Sequence, residues 1–270
     1  MTKTDVAETL YHYCTAETFM LITKNRTLRL SSLQNSNDRA EGQYILSILN
    51  RALELSEHFK TPDEIERQME QYQRQVGDDG LGFCLSEEGD LLSQWRGYGD
   101  NGKGFAIGFD RDKLKSLQGI NSNQRRVHLT LSKLTYDIEE SVNIVRRLID
   151  KKAEYDAKNP RSSGGNISAW QAVRFSPQSM AYFLKQFSFH EEKEHRLFHQ
   201  ISKHFDAYDY DIKNGLVSPF LDIPYEPEKG LVSEIVIGPA NKTKQEYLRA
   251  YLDRTHHGGT RVKRSASTFN

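Results

Sequence analysis

Apolar and polar positions along this chain switch between a period near two and a period near 3.6, the spacings of strands and helices. Leu10-Tyr11-His12-Tyr13 is a short aromatic run with strand propensity. Thr15 fits an N-cap for a helix over 16–24, with Phe19, Met20, Leu21 and Ile22 on or near its buried face. Leu28 and Leu30 alternate within 27–31, which reads as a second strand. The polar stretch 31–42 predicts a loop, because Asn, Ser and Asp bond their own backbone. Residues 44–59 carry Tyr44, Ile45, Ile48, Leu49 and Leu53 at helical spacing. Thr61-Pro62-Asp63-Glu64 is a capping box that opens a helix striped by Ile65, Met69, Tyr72 and Val76.

The most patterned region is 82–110. Residues 82–86 form a mostly apolar, buried strand in which Cys84 reads as core. Asp90 can cap a short helix bearing Leu91, Leu92, Trp95 and Tyr98. A glycine-rich turn follows, and 103–109 is a strand with Phe105, Ile107 and Phe109 against Ala106 and Gly108. A strand is expected over 127–131, a helix over 138–151, and a helix opened by Ser176-Pro177 that runs to Phe187. The stretch FHEEKEHRLF, 189–198, reads as a charged strand. Its alternation puts Glu192, Glu194, Arg196 and Phe198 on one face. Beyond it, 208–212 and 216–225 flank Asn214-Gly215 as a hairpin, which places Pro219 on an edge. A strand over 233–237, a helix over 242–252 and a strand over 260–266 complete the chain.

The order of elements predicts one α+β domain over 1–270, around a mixed, mainly antiparallel sheet. Helical insertions are expected at about 43–76 and 138–187. The only linker-like segment is the short Ser, Gly and Asn cluster at 161–166.

Composition narrows the function classes. Lys+Arg and Asp+Glu are both 37, so no strong whole-molecule field draws in nucleic acid or an anionic membrane. The two cysteines, Cys14 and Cys84, cannot make a disulfide framework or a four-cysteine zinc site, and they fit a reducing compartment. No signal-peptide core and no run near the ~20 apolar residues of a membrane span is present, so a cytoplasmic protein is expected. The chain holds neither a Walker loop, a dinucleotide glycine fingerprint, a Gly-x-Ser-x-Gly elbow nor a zincin helix. No metal is expected.

The remaining constellation joins a strand histidine, His12, an aromatic helix residue, Tyr98, and the carboxylates of Glu192 and Glu194. Such a set suits a nicotinamide nucleotide. The His would bond a ribose hydroxyl, the ring would stack on the pyridine, and a carboxylate would stabilise the positive charge of a breaking glycosidic bond. The opposing reading is a charged edge strand in which Arg196 pairs with Glu194.

Leu10-Tyr11-His12-Tyr13, Asn37-Asp38…Glu41, Phe83-Cys84-Leu85-Ser86…Gln94-Trp95…Tyr98 and Glu192-x-Glu194-x-Arg196 together resemble an uncharacterised bacterial family, a domain of unknown function. The order of the pieces is also similar to the ADP-ribosyltransferase superfamily. That second resemblance implies the split β-sandwich of those enzymes, NAD as substrate, and a protein or nucleic-acid acceptor. It further implies the context of a bacterial toxin or phage-defence effector. Carried over residue by residue, it makes Glu194 catalytic and gives Glu192 the orienting of the acceptor. Tyr11, His12, Ser86 and Tyr98 would contact NAD. The histidine and the Glu-x-Glu belong to different branches of that superfamily, and Arg196 has no counterpart in either. A non-catalytic binding protein on the same scaffold is the competing expectation.

Overall fold

The alternating segments pair into one ten-stranded sheet in the computed structural model. It describes residues 8–33, 41–75, 80–117, 119, 126–158, 180, 182–201, 208–213 and 215–268. The strands are β1 (Thr9–Cys14), β2 (Thr27–Ser32), β3 (Gly80–Ser86), β4 (Phe105–Asp110) and β5 (Thr130–Lys133). They continue with β6 (Glu194–Gln200), β7 (Asp209–Lys213), β8 (Leu216–Pro224), β9 (Val232–Ile237) and β10 (Arg261–Arg264). The main path runs β10-β9-β4-β1-β3-β2-β8-β7, while β6 pairs with β3 and β5 with β6. Among the described strand pairs, β9 with β10 is the parallel one. The sheet is therefore mixed and mainly antiparallel, and with its helices it makes an α+β fold.

One irregularity organises everything else. β6 follows β3 along its whole length, from Gly80↔Gln200 to Ser86↔Glu194. The other edge of β3 is shared. β2 holds the start of it through Ser31↔Gly82 and Ser32↔Leu81, and β1 touches its end at Tyr11↔Ser86. Between those contacts β1 and β2 part and the sheet splits. Leu10 and Cys14 of β1, Leu28 and Leu30 of β2, and Leu81, Phe83 and Leu85 of β3 still share one apolar core. Burial of these side chains, at roughly 1.5–3 kcal/mol each, holds both halves together.

The helices are α1 (Ala16–Asn25), α2 (Glu41–Glu54), α3 (Pro62–Gln75), α4 (Leu92–Gly97), α5 (Arg111–Ser116), α6 (Ile138–Lys158) and α7 (Gln245–Arg254). Thr15 caps α1, its side chain accepting from Thr18 N–H. The capping box of α3 forms in both directions, Glu64 N–H to Thr61 Oγ1 at 3.3 Å and Thr61 N–H to Glu64 Oε2 at 3.1 Å. The inserted helices bury a second core, with Ile45, Leu49 and Leu53 against Tyr72, Val142, Val145 and Ile149.

Several expectations shift. The strand expected over 127–131 is β5 at Thr130–Lys133, where pairing with β6 begins. The helix expected over 138–151 extends to Lys158, and the one over 44–59 ends at Glu54. Asp90 does not cap α4. Leu91 is the N-cap, and the Asp90 carboxylate instead accepts from Trp95 Nε1 (2.7 Å), Ala266 N (2.7 Å) and Ser265 Oγ (2.5 Å). Cys84 is not core. It alternates away from Phe83 and Leu85 and is exposed on the open face. Pro219 sits where β2 pairing has ended at Phe220, which is a local edge as expected. The Asn37-Asp38 loop, the 161–166 linker, the Ser176-Pro177 helix start, Val76 and Asn214 lie outside the described residues.

Candidate functional site

The split in the sheet is floored by β3 and walled by His12. At Cys84 the edge of β3 away from β6 has no strand partner among the described residues, and the His12 side chain takes that place. Its Nδ1 lies 2.8 Å from the Cys84 carbonyl oxygen, and its ring stacks on Phe83 at 4.1 Å. A carbonyl only accepts, so Nδ1 carries the proton and Nε2 of the neutral ring is an acceptor. Burial lowers the His12 pKa from 6.5 to about 4, which keeps the ring neutral near pH 7.

α4 delivers the second wall. Tyr13 Oη accepts the Leu91 N–H at 2.9 Å and donates to the Glu88 carbonyl at 2.7 Å. Trp95 is fully buried and meets the Tyr13 ring edge-on at 4.8 Å. With its start pinned and its middle buried, α4 ends at Tyr98, which stands 45% exposed at the C-cap.

The third wall is an ion cluster. FHEEKEHRLF is not a strand throughout. Phe187–Glu192 is a 3₁₀ turn, Lys193 adopts a left-handed φ of 43°, and β6 begins only at Glu194. Ser86 Oγ donates to the Glu192 carbonyl at 2.7 Å and ties that turn to β3. The turn brings both carboxylates onto one lysine. Lys185 Nζ lies 2.8 Å from Glu192 Oε2 and 2.9 Å from Glu194 Oε2. Arg196 adds a fork, Nε to Glu194 Oε1 at 2.6 Å and Nη2 to Glu194 Oε2 at 3.3 Å. Tyr136 Oη accepts the Glu194 N–H at 2.8 Å.

The two carboxylates are consequently different. Burial alone would raise the Glu194 pKa, but Arg196 and Lys185 outweigh it and hold it at about 2. Glu192 is pushed above the ordinary value, because burial exceeds the pull of Lys185 and the more distant Arg196. Desolvation and then the charge of Glu192 raise Tyr98 to about 12, so its phenol stays protonated.

These residues face one cleft of about 240 Å³, lined by Tyr11, His12, Tyr98, Glu192 and Glu194 among others. A second depression of about 500 Å³ continues from it and shares His12, Leu33, Cys84 and Tyr98. It extends over β2 to Arg29, Thr27 and Lys213. The second falls in the range of small-ligand sites and the first lies a little below it. Of the residues singled out in the sequence, His12, Tyr98, Glu192 and Glu194 converge here. Tyr11 lends its ring, while its hydroxyl donates to Glu234 at 2.8 Å. Ser86 is outside the lining and acts on the backbone of Glu192. Lys185, Tyr136 and Phe189, whose ring lies 4.8 Å from Lys185 Nζ, were not anticipated. The signal for Lys185 was a single charge inside the apolar run Phe183–Phe187.

Among the described residues no group of His, Cys, Asp and Glu side chains could hold a metal ion, and no helix is long and apolar enough to cross a membrane. Residues 94–197 match the model of a family described as "Protein of unknown function (DUF2971)". The resemblance to an uncharacterised family is thus borne out over a stretch that runs from α4 to β6. That stretch contains Tyr98, Lys185, Glu192, Glu194 and Arg196, but not the β1 residues. No curated protein and no solved structure matches the chain.

Proposed function

We propose that this chain is an NAD-dependent ADP-ribosyltransferase-like enzyme that binds the nicotinamide end of NAD over β3, in the split between β1 and β2. The observation that supports the reading is the meeting of His12, Tyr98 and the Glu192–Glu194 pair on one cleft from three distant stretches of sequence. His12 Nε2 accepts from a ribose hydroxyl. Tyr98 stacks on the pyridinium ring. The bond from the ribose anomeric carbon to the nicotinamide nitrogen breaks, and its electron pair leaves with nicotinamide. The sugar is left with positive charge, which a fixed carboxylate stabilises. A nucleophile on a protein or nucleic-acid acceptor, or water, then bonds that carbon and loses its proton. A bacterial toxin or a phage-defence effector is the setting in which such a transfer would serve.

The carboxylates divide the work. Glu194 has its charge matched by two cations, so we assign it the positioning of Lys185. Glu192 has one oxygen on Lys185 and is the carboxylate set against the sugar. The complete pairing of Glu194 also favours a second reading, a non-catalytic binding protein in which the cluster serves stability.

Nicotinamide release from NAD in the presence of lysate or nucleic acid separates the two. Release that falls in Glu192→Gln and in Tyr98→Ala supports the enzyme. A thermal shift with NAD but no release supports the binding protein. Neither release nor shift, or full release by the variants, overturns the proposal.

A further inference from the structure

Gln94 in α4 and Tyr98 at its C-cap both line the cleft. Residues four apart share a helix face. Tyr98 stands half-exposed, whereas Gln94 is 7% exposed. Its place is fixed from both sides. Tyr13 Oη holds the Leu91 N–H before it, and the buried Trp95 after it donates Nε1–H to Asp90 at 2.7 Å. The Gln94 backbone carbonyl closes the helix, accepting from Tyr98 N–H at 2.9 Å and from Gly99 N–H at 3.1 Å. The side-chain carboxamide, by contrast, makes no hydrogen bond among the described residues.

The charged groups of the cleft are already matched. Lys185 bonds Glu192 and Glu194, and Arg196 forks onto Glu194. His12 Nδ1 lies on the Cys84 carbonyl. A buried amide left without partners is costly, and this one has both a donor NH2 and an acceptor oxygen unmatched. A ligand group that presents an acceptor and a donor side by side satisfies both at once. A primary carboxamide is such a group, and a nicotinamide ring carries one.

We infer that Gln94 selects the ligand by its carboxamide, with Nε2 donating to the amide oxygen and Oε1 accepting from the amide nitrogen. Tyr98, one turn further on, stacks against the ring that bears this amide. The role of Gln94 rests on the proposed binding of NAD in the cleft, and adds to it the side chain that tells nicotinamide from other pyridines. A pyridine without the amide NH2 leaves Oε1 unpaired, and a site built to bond a ligand N–H rejects the analogue that lacks it.

Calorimetric titration of the full chain with NAD and with its acetylpyridine analogue tests the assignment. In the analogue a methyl group replaces the amide NH2, so the charge and the ring are kept and the donor is lost. The unaltered chain is expected to bind NAD about tenfold more tightly than the analogue. Gln94→Met, similar in volume and without the amide, is expected to bind the two alike, because neither then has a partner for its carbonyl substituent. Should Gln94→Met lower the melting temperature, Gln94→Asn carries the test. It keeps the amide, withdraws it by one methylene, and is expected to lose the same preference. A variant that keeps the preference, or an unaltered chain that shows none, overturns the role of Gln94 and leaves NAD binding standing. An unaltered chain that binds neither dinucleotide overturns NAD binding and the role of Gln94 with it.

Discussion

Two ion clusters flank the cleft, and they differ in little but water. At one end Glu194 is gripped by Arg196 and Lys185, with side chains 3–7% exposed. At the other Arg29 is gripped by Asp222 and Asp211, at 2.9 and 3.2 Å, with exposures of 45%, 19% and 64%. The distances are similar. In the first cluster each charge has lost its hydration and depends on its partners, whereas in the second water can replace any partner removed. Geometry alone would rank the two alike. Burial decides which one the fold depends on.

The sharpest break of that comparison is Arg196→Leu. It leaves Glu194 buried beside one cation, and chemical denaturation should show a loss of about 3–5 kcal/mol. Next is Glu192→Gln, which keeps the shape and removes the less firmly paired carboxylate. Under the proposed chemistry, nicotinamide release should fall by roughly 10²–10³-fold, with little change in melting temperature. A third effect is set by pH. The His12 pKa falls from 6.5 in the unfolded chain to about 4 in the folded one, so the unfolded state binds more protons between those values. Stability is then fully present above pH 6.5 and declines as pH falls toward 4, and unfolding curves across that window should show it. Burial also lowers His195, His199 and His257, so His12→Asn should reduce the slope and not abolish it. Glu194 acts lower down. Its contribution is present above its unfolded value of 4.5 and is lost as pH falls through about 2. The smallest effect belongs to Arg29→Met, expected within about 1 kcal/mol and smaller still in high salt.

Much of the architecture was legible because period and capping are local. The Thr15 cap, the Thr61–Glu64 box and the alternation of β2 and β4 each depend on a few adjacent residues. The split was not legible. It arises because β1 and β2, neighbours in the chain, compete for one edge of the distant β3, and no local pattern records that competition. The same gap explains Cys84. An apolar strand was read as buried on both faces, but the missing neighbour opens one of them. FHEEKEHRLF misled in the opposite direction. Its alternation was real only from Glu194 onward, because the left-handed Lys193 and the Ser86 tie to Glu192 convert its first half into a turn. The pairing of Glu194 with Arg196, which makes the two carboxylates unequal, was visible in the spacing, but Lys185, which joins them, was not.

The exposed thiol on the cleft floor gives the chain its own reporter. Cys14 is buried and Cys84 is exposed, so a small alkylating reagent distinguishes them without any engineering. A nucleotide that fills the split covers that sulfur. The labelling rate then counts cleft occupancy whether or not any bond is broken there.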